Sequence, residues 1–138
     1  MKIRCFTRLV LLLIISVILS GCVDEQSLIN SAKTELTITI TEDGCSEKQW
    51  VVPSKANILL TIDNQSSIDK QWMVMSRPAT PPFDADDENR VFVVLDAPVG
   101  KSERNFTAPA MAGEYQVYCG EPGQVDAAVR ARLVVVRP

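Results

Sequence analysis

The feature that most constrains this chain is a period of two in its apolar residues. Leu36, Ile38 and Ile40 alternate with Thr37, Thr39 and Thr41, and Ile58, Leu60 and Ile62 repeat the pattern further on. Successive side chains of a strand point to opposite faces, so each run predicts a strand with one buried face. Shorter runs predict more strands at Gln49–Ser54, Gln71–Ser76 and Val91–Leu95 and a polar one at Ser102–Ala108, and Gly113–Pro138 holds a final pair. Pro53 interrupts the first of these, which suits a sheet edge or a strand that switches sheets. Glu42-Asp43-Gly44, the polar stretch Asn64–Lys70 and Ala97-Pro98-Val99-Gly100 supply the turns. With no helical period to compete, about eight short strands predict an all-β fold, an antiparallel Greek-key sandwich over residues 34–138.

The residues before that domain follow another logic. Lys2, Arg4 and Arg8 precede an apolar run from Leu9 to Leu19, too short to span a bilayer comfortably and suited to the core of a signal peptide. Leu19-Ser20-Gly21-Cys22 then resembles the bacterial lipobox. That resemblance implies removal of residues 1–21 as a lipoprotein signal peptide and acylation of Cys22, with palmitate among the chains. Several acyl chains, at roughly 0.8 kcal/mol per buried methylene, hold a protein on a membrane permanently. Residues 22–33, polar and unpatterned, are expected to form a flexible tether. The expected location is the extracytoplasmic, periplasmic side of a bacterial envelope membrane.

Charge and one absence exclude whole classes of function. Loss of Lys2, Arg4 and Arg8 with the leader takes the basic side chains from 14 to 11 against 17 acidic ones, a net charge of −6. Nucleic acid is therefore a poor partner. The chain has no histidine, which removes Ser-His-Asp and Cys-His catalysis, most zinc sites and the usual type-1 copper site. No nucleophile-base pair remains, and no enzymatic activity is expected.

The C-terminal stretch carries the resemblance that ties these observations together. Tyr115, Val117 and Cys119 share a strand face, Gly120, Pro122 and Gly123 mark a loop, and Arg130–Val136 forms a closing strand. This layout resembles the metal-bearing end of the cupredoxins, in which a cysteine ends one strand, a histidine and a methionine follow at steps of about five, and a last strand closes the sandwich. Cys119 matches the cysteine. Gln124 and Val129 occupy the later positions, and Gln71 occupies that of the first histidine.

A closer resemblance is to the small cupredoxin-like domain of EfeO-type periplasmic iron-uptake proteins. It rests on the order Asp43-Gly44-Cys45, Val51-Val52-Pro53-Ser54, a strand ending in Asn64, Lys70-Gln71-Trp72-Met73-Val74, Val91-Phe92-Val93-Val94 and Gly113-Glu114-Tyr115 through Cys119-Gly120. The acidic residues that flank the tryptophan in that family are replaced by Gln71 and Met73. The resemblance thus implies the fold, and a metal site largely lost.

Cys45 and Cys119 are the only thiols left in the mature domain besides Cys22. In an oxidising compartment they are expected to form a disulfide. The alternative is a pair of thiolates for copper or iron, with Met73, Met75 or Met111 as a soft third ligand. The acidic run Asp84-Ala85-Asp86-Asp87-Glu88 lacks calcium-loop spacing and is expected as a solvated charge cluster. Trp72 is expected between the sheets, and Trp50 is left open. The reading that follows is a membrane-anchored, extracytoplasmic cupredoxin-like binding or accessory module, with no cofactor expected and, besides the membrane, an envelope protein as candidate partner. Its alternative is a metal carrier or electron-transfer protein that uses Cys45 and Cys119 as thiolates.

Overall fold

The computed structural model describes residues 25–77, 84–124 and 130–138. The leader, Cys22, Pro78 to Phe83 and Val129 lie outside them. Nine strands among the described residues form two sheets. They are β1 (Glu35–Thr41), β2 (Gly44–Cys45), β3 (Gln49–Pro53), β4 (Asn57–Asn64), β5 (Lys70–Met75), β6 (Val91–Ala97), β7 (Gly100–Thr107), β8 (Gly113–Gly120) and β9 (Arg130–Val136). One sheet has the order β2-β1-β4-β7, the other β3-β9-β8-β5-β6.

The sandwich is the one the alternation predicts. Ile38, Ile40, Ile58, Leu60 and Ile62 are wholly buried, and β4 alternates buried with half-buried residues along its length. Pairing is antiparallel except at two places. β1 runs parallel to β4, with Ile38 opposite Ile62, and β3 runs parallel to β9, with Trp50 opposite Leu133. Both parallel pairs arise because the chain crosses from one sheet to the other between β2 and β3 and back before β4. Pro53 ends β3, which lies at the edge of its sheet, where a missing N–H costs no ladder bond.

Between the sheets the aromatic residues meet. Trp72 is fully buried, and its ring lies 6.3 Å from that of Trp50 and 5.2 Å from that of Phe106. Trp50 itself is only 6% exposed, so neither indole offers a stacking platform at the surface.

Two stretches differ from the sequence expectation. Residues 25–31, expected within a flexible tether, form a helix, α1 (Glu25–Ser31), on which Leu28 and Ile29 are half-buried; the chain leaving it donates from the Lys33 N–H to the Val51 carbonyl at 2.9 Å. The acidic run keeps Asp84, Asp86 and Glu88 exposed, as a solvated cluster would, but Ala85–Glu88 forms a short helix, α2, with Asp87 buried. Asp84 caps it by accepting from the Asp87 N–H at 3.0 Å, and the Asp87 carboxylate answers the Asp84 N–H. Asp87 is 4% exposed and lies 3.6 Å from the Arg90 guanidinium. Helix N-termini favour carboxylates, which accounts for the acidic composition without any bound ion.

Candidate functional site

One end of the sandwich gathers the residues that the sequence singles out. The C-terminal ends of β1, β4, β6 and β8 and the N-terminal ends of β5 and β7 meet there, as their register requires. Cys45 and Cys119 are joined by a disulfide with Cα atoms 5.2 Å apart. The bond links β2 at the edge of one sheet to β8 inside the other, and both residues are buried, at 3% and 1% exposure.

Strand parity decides what can lie beside that bond. Cys119 is directly opposite Trp72, so the two side chains share the inner face. Lys70, two residues before Trp72, shares that face as well, and its Cα partner Ala97 belongs to the core. Gln71 therefore points the other way. Its amide donates to the Asp96 carboxylate at 3.0 Å on the outer face of the sheet. The residue that shares the inner face with Trp72 and Cys119 at the start of β5 is Lys70, which sequence reasoning did not single out; counting back by two from the buried tryptophan would have found it.

The soft ligands of the alternative reading are not brought to the cysteines. Met73 is opposite Tyr118, on the outer face, where Met73, Met75, Tyr118 and Val91 form a small second cluster. Met111 is 74% exposed and precedes β8, at the strand end remote from Cys119, roughly 20 Å away by strand rise. Gln124 is exposed on the loop after β8, and Val129 lies outside the described residues.

The polar groups of this end bind one another. Asn64, 1% exposed, donates to the Ile68 carbonyl at 2.9 Å and to the Ala97 carbonyl at 2.8 Å, and accepts from the Ser66 N–H and hydroxyl. Glu42 accepts from the Ser67 N–H at 2.6 Å. That bond and then the Ser67 hydroxyl hold its carboxyl below the usual carboxylate range against a smaller opposing effect of burial, and the positive charge of Lys70 adds least. Lys70 is 7% exposed, and among the described residues its ammonium has no ion pair within 4.0 Å. Nor, among them, do three or more His, Cys, Asp or Glu side chains gather in a way that could hold a metal ion.

No protein-family model matches the chain, and no curated protein matches it. Solved structures do. Reduced auracyanin from Roseiflexus castenholzii superposes with a TM-score of 0.59 at 20% identity, over 76% of this chain and 98% of that one. Auracyanin A, a "blue" copper protein from Chloroflexus aurantiacus, gives 0.54 at 22% identity over 73% and 98%. Reduced rusticyanin gives 0.52 at 12% identity over 80% and 93%. At these identities the likeness shows the fold, which is cupredoxin-like.

The expectation of no cofactor is corrected by the same finding. Auracyanin A and rusticyanin are described as copper proteins, so copper is the ion that this fold implies. A type-1 copper centre needs a thiolate and imidazoles. Here the Cys119 sulfur is bonded to Cys45 and the chain has no histidine. These residues do not fit a type-1 centre.

Proposed function

We propose that this chain is a membrane-anchored, extracytoplasmic cupredoxin-like module, a non-enzymatic binding or accessory protein of a bacterial envelope. The observation that carries the reading is the disulfide between Cys45 and Cys119, which withdraws the fold's cysteine from the usual type-1 donor set. The motif order shared with EfeO-type domains supports a place in metal uptake, and the lipobox-like Leu19-Ser20-Gly21-Cys22 supports the anchor. No helix among the described residues is long and apolar enough to cross a membrane. The test of the donor argument is copper(II) added to oxidised protein. No intense blue charge-transfer band is expected, and its appearance would overturn the reading.

A second reading, a copper or iron carrier that uses the two cysteines as thiolates, is supported by the copper proteins that share the fold. Metal content of protein purified without reductant or chelator separates the two. Stoichiometric copper or iron would put the carrier first.

A further inference from the structure

The end of the sandwich opposite the disulfide has an apolar surface of its own. The β7–β8 loop, Ala108-Pro109-Ala110-Met111-Ala112-Gly113, has no polar side chain, yet residues 110–113 are exposed and Met111 is 74% exposed. Three hydrogen bonds fix the loop in place. The Ala108 N–H donates to the Ala56 carbonyl at 2.8 Å, the Lys55 N–H to the Pro109 carbonyl at 3.3 Å, and the Tyr115 hydroxyl to the Met111 carbonyl at 2.9 Å. The Tyr115 ring lies 6.2 Å from that of Phe92, which is 45% exposed. Two exposed cations flank this apolar stretch. Lys55 is bonded to it through its backbone, and Arg137 lies two residues beyond Val135, the partner of Gly113. Glu114, the adjacent acid, is paired with Arg132 at 3.3 Å.

What meets such a surface depends on how far the lipid can stand from it. Glu25, the first residue of α1, follows Cys22 by three residues, a span of at most roughly 10 Å when fully extended. The helix adds about 10 Å more, and the chain then enters β1 at the apolar end, since Glu35 is opposite Leu59 and Asn57 is opposite Thr107. On so short a leash one face of the domain meets the headgroups. Apolar side chains with cations around them suit that boundary, because the apolar groups leave water while the cations reach lipid phosphates, and a tyrosine ring belongs at the same depth. The cysteine end also exposes apolar side chains, Ile68 and Val99, but they stand among the exposed acids Glu42, Asp43, Asp69, Asp96 and Glu121, which phosphates repel. Resting on the anchored reading, we infer that the loop Ala108–Gly113, with Phe92 and Tyr115, is a docking surface for the bilayer that holds Cys22, and that Lys55 and Arg137 bind its phosphates.

The test is methyl NMR of the full-length lipoprotein, as exported by its host, in nanodiscs of phosphatidylcholine and phosphatidylglycerol with and without a nitroxide on the lipid headgroup. Intact mass first reports the state of Cys22, and an unacylated cysteine overturns the anchored reading itself. With Cys22 acylated, the Met111 methyl is expected to lose its signal to the nitroxide, while Ile68 and Val99 keep theirs. Met111→Ser and Phe92→Ser are each expected to lower the ratio of docked to free domain about tenfold, and Lys55→Gln about fivefold, all read from the Ala110 methyl. Circular dichroism of each variant checks the fold. Equal losses at Met111 and Val99 would mean a domain that tumbles on its tether, and larger losses at Ile68 and Val99 a domain the other way up; either overturns the docking and leaves the anchor standing. A Met111 signal untouched by the nitroxide overturns it too, and leaves the loop free for a protein partner. A ratio unchanged in Lys55→Gln overturns the role of that cation.

Discussion

Asn64 shows how single residues hold the cysteine end together. Its amide spans the β4–β5 loop and the end of β6, donating to the Ala97 carbonyl and to the Ile68 carbonyl, which also accepts from the Ser66 hydroxyl. Asn64→Ala is expected to cost about 3 kcal/mol, more than a typical hydrogen bond, because the buried bonds to Ile68, Ala97 and Ser66 are lost together; urea denaturation at constant slope measures it. Glu42 acts at the surface, so its effect is one of pH. A carboxyl held below its usual range stabilises the fold while it is charged in both states, and that contribution is lost as pH falls through its folded value. Wild type is therefore expected to be more stable than Glu42→Gln at neutral pH, with the difference closing in acid. Melting temperatures that keep a constant gap from neutral pH to below the carboxylate range would refute the role given to the Ser67 contact.

At the scale of elements, α2 offers the clearest test. Asp84 and Asp87 cap each other across the first turn of a four-residue helix, which has little else to hold it. Asp84→Ala is expected to cost about 1 kcal/mol and to raise amide exchange over Ala85–Glu88 while leaving β6 protected. What the sequence showed and hid follows from the same local physics. β1 and β4 were legible because one face is apolar and the other polar, which leaves a single choice of register. β6, nearly all apolar in sequence, is an edge strand with Phe92 45% and Val94 39% exposed. The bulge explains Phe92, since Val93 faces Val74 and Val91 faces Met75, which leaves Phe92 without a partner on β5. Gln71, by contrast, faces away from the cysteines and bonds Asp96, because in a strand one residue is the difference between the core and solvent. The acidic helix was hidden because Asp, a weak helix former, also makes the best caps.

The whole molecule is organised by its two ends. The chain enters β1 from α1 at Glu35, whereas the disulfide lies at the opposite end, past Thr41. A tether leading back from α1 to a lipid at Cys22 would turn the cysteine end away from the bilayer. Cys22→Ala is accordingly expected to move the protein from the membrane to the soluble fraction, and an unchanged detergent-phase partition would sink the anchor.

The disulfide ties the two sheets together at the cysteine end. It closes a sequence separation of 74 residues between an edge strand of one sheet and an inner strand of the other. Constraining a loop of that length in the unfolded chain is worth about 4.5 kcal/mol in the chain-entropy model. Cys45→Ala/Cys119→Ala is expected to lose about that much against oxidised wild type, measured from denaturant midpoints with unchanged slope. Dithiothreitol should lower wild type towards the variant and leave the variant where it is. A loss below about 1 kcal/mol would mean that the strands hold this end without the bridge. Two alkylatable thiols at Cys45 and Cys119, in protein recovered unreduced from its native compartment, would mean that the bond is not the resting state. The first result would move the stability of this end to Asn64 and the core around Trp72; the second would make the open dithiol the form in which the domain works.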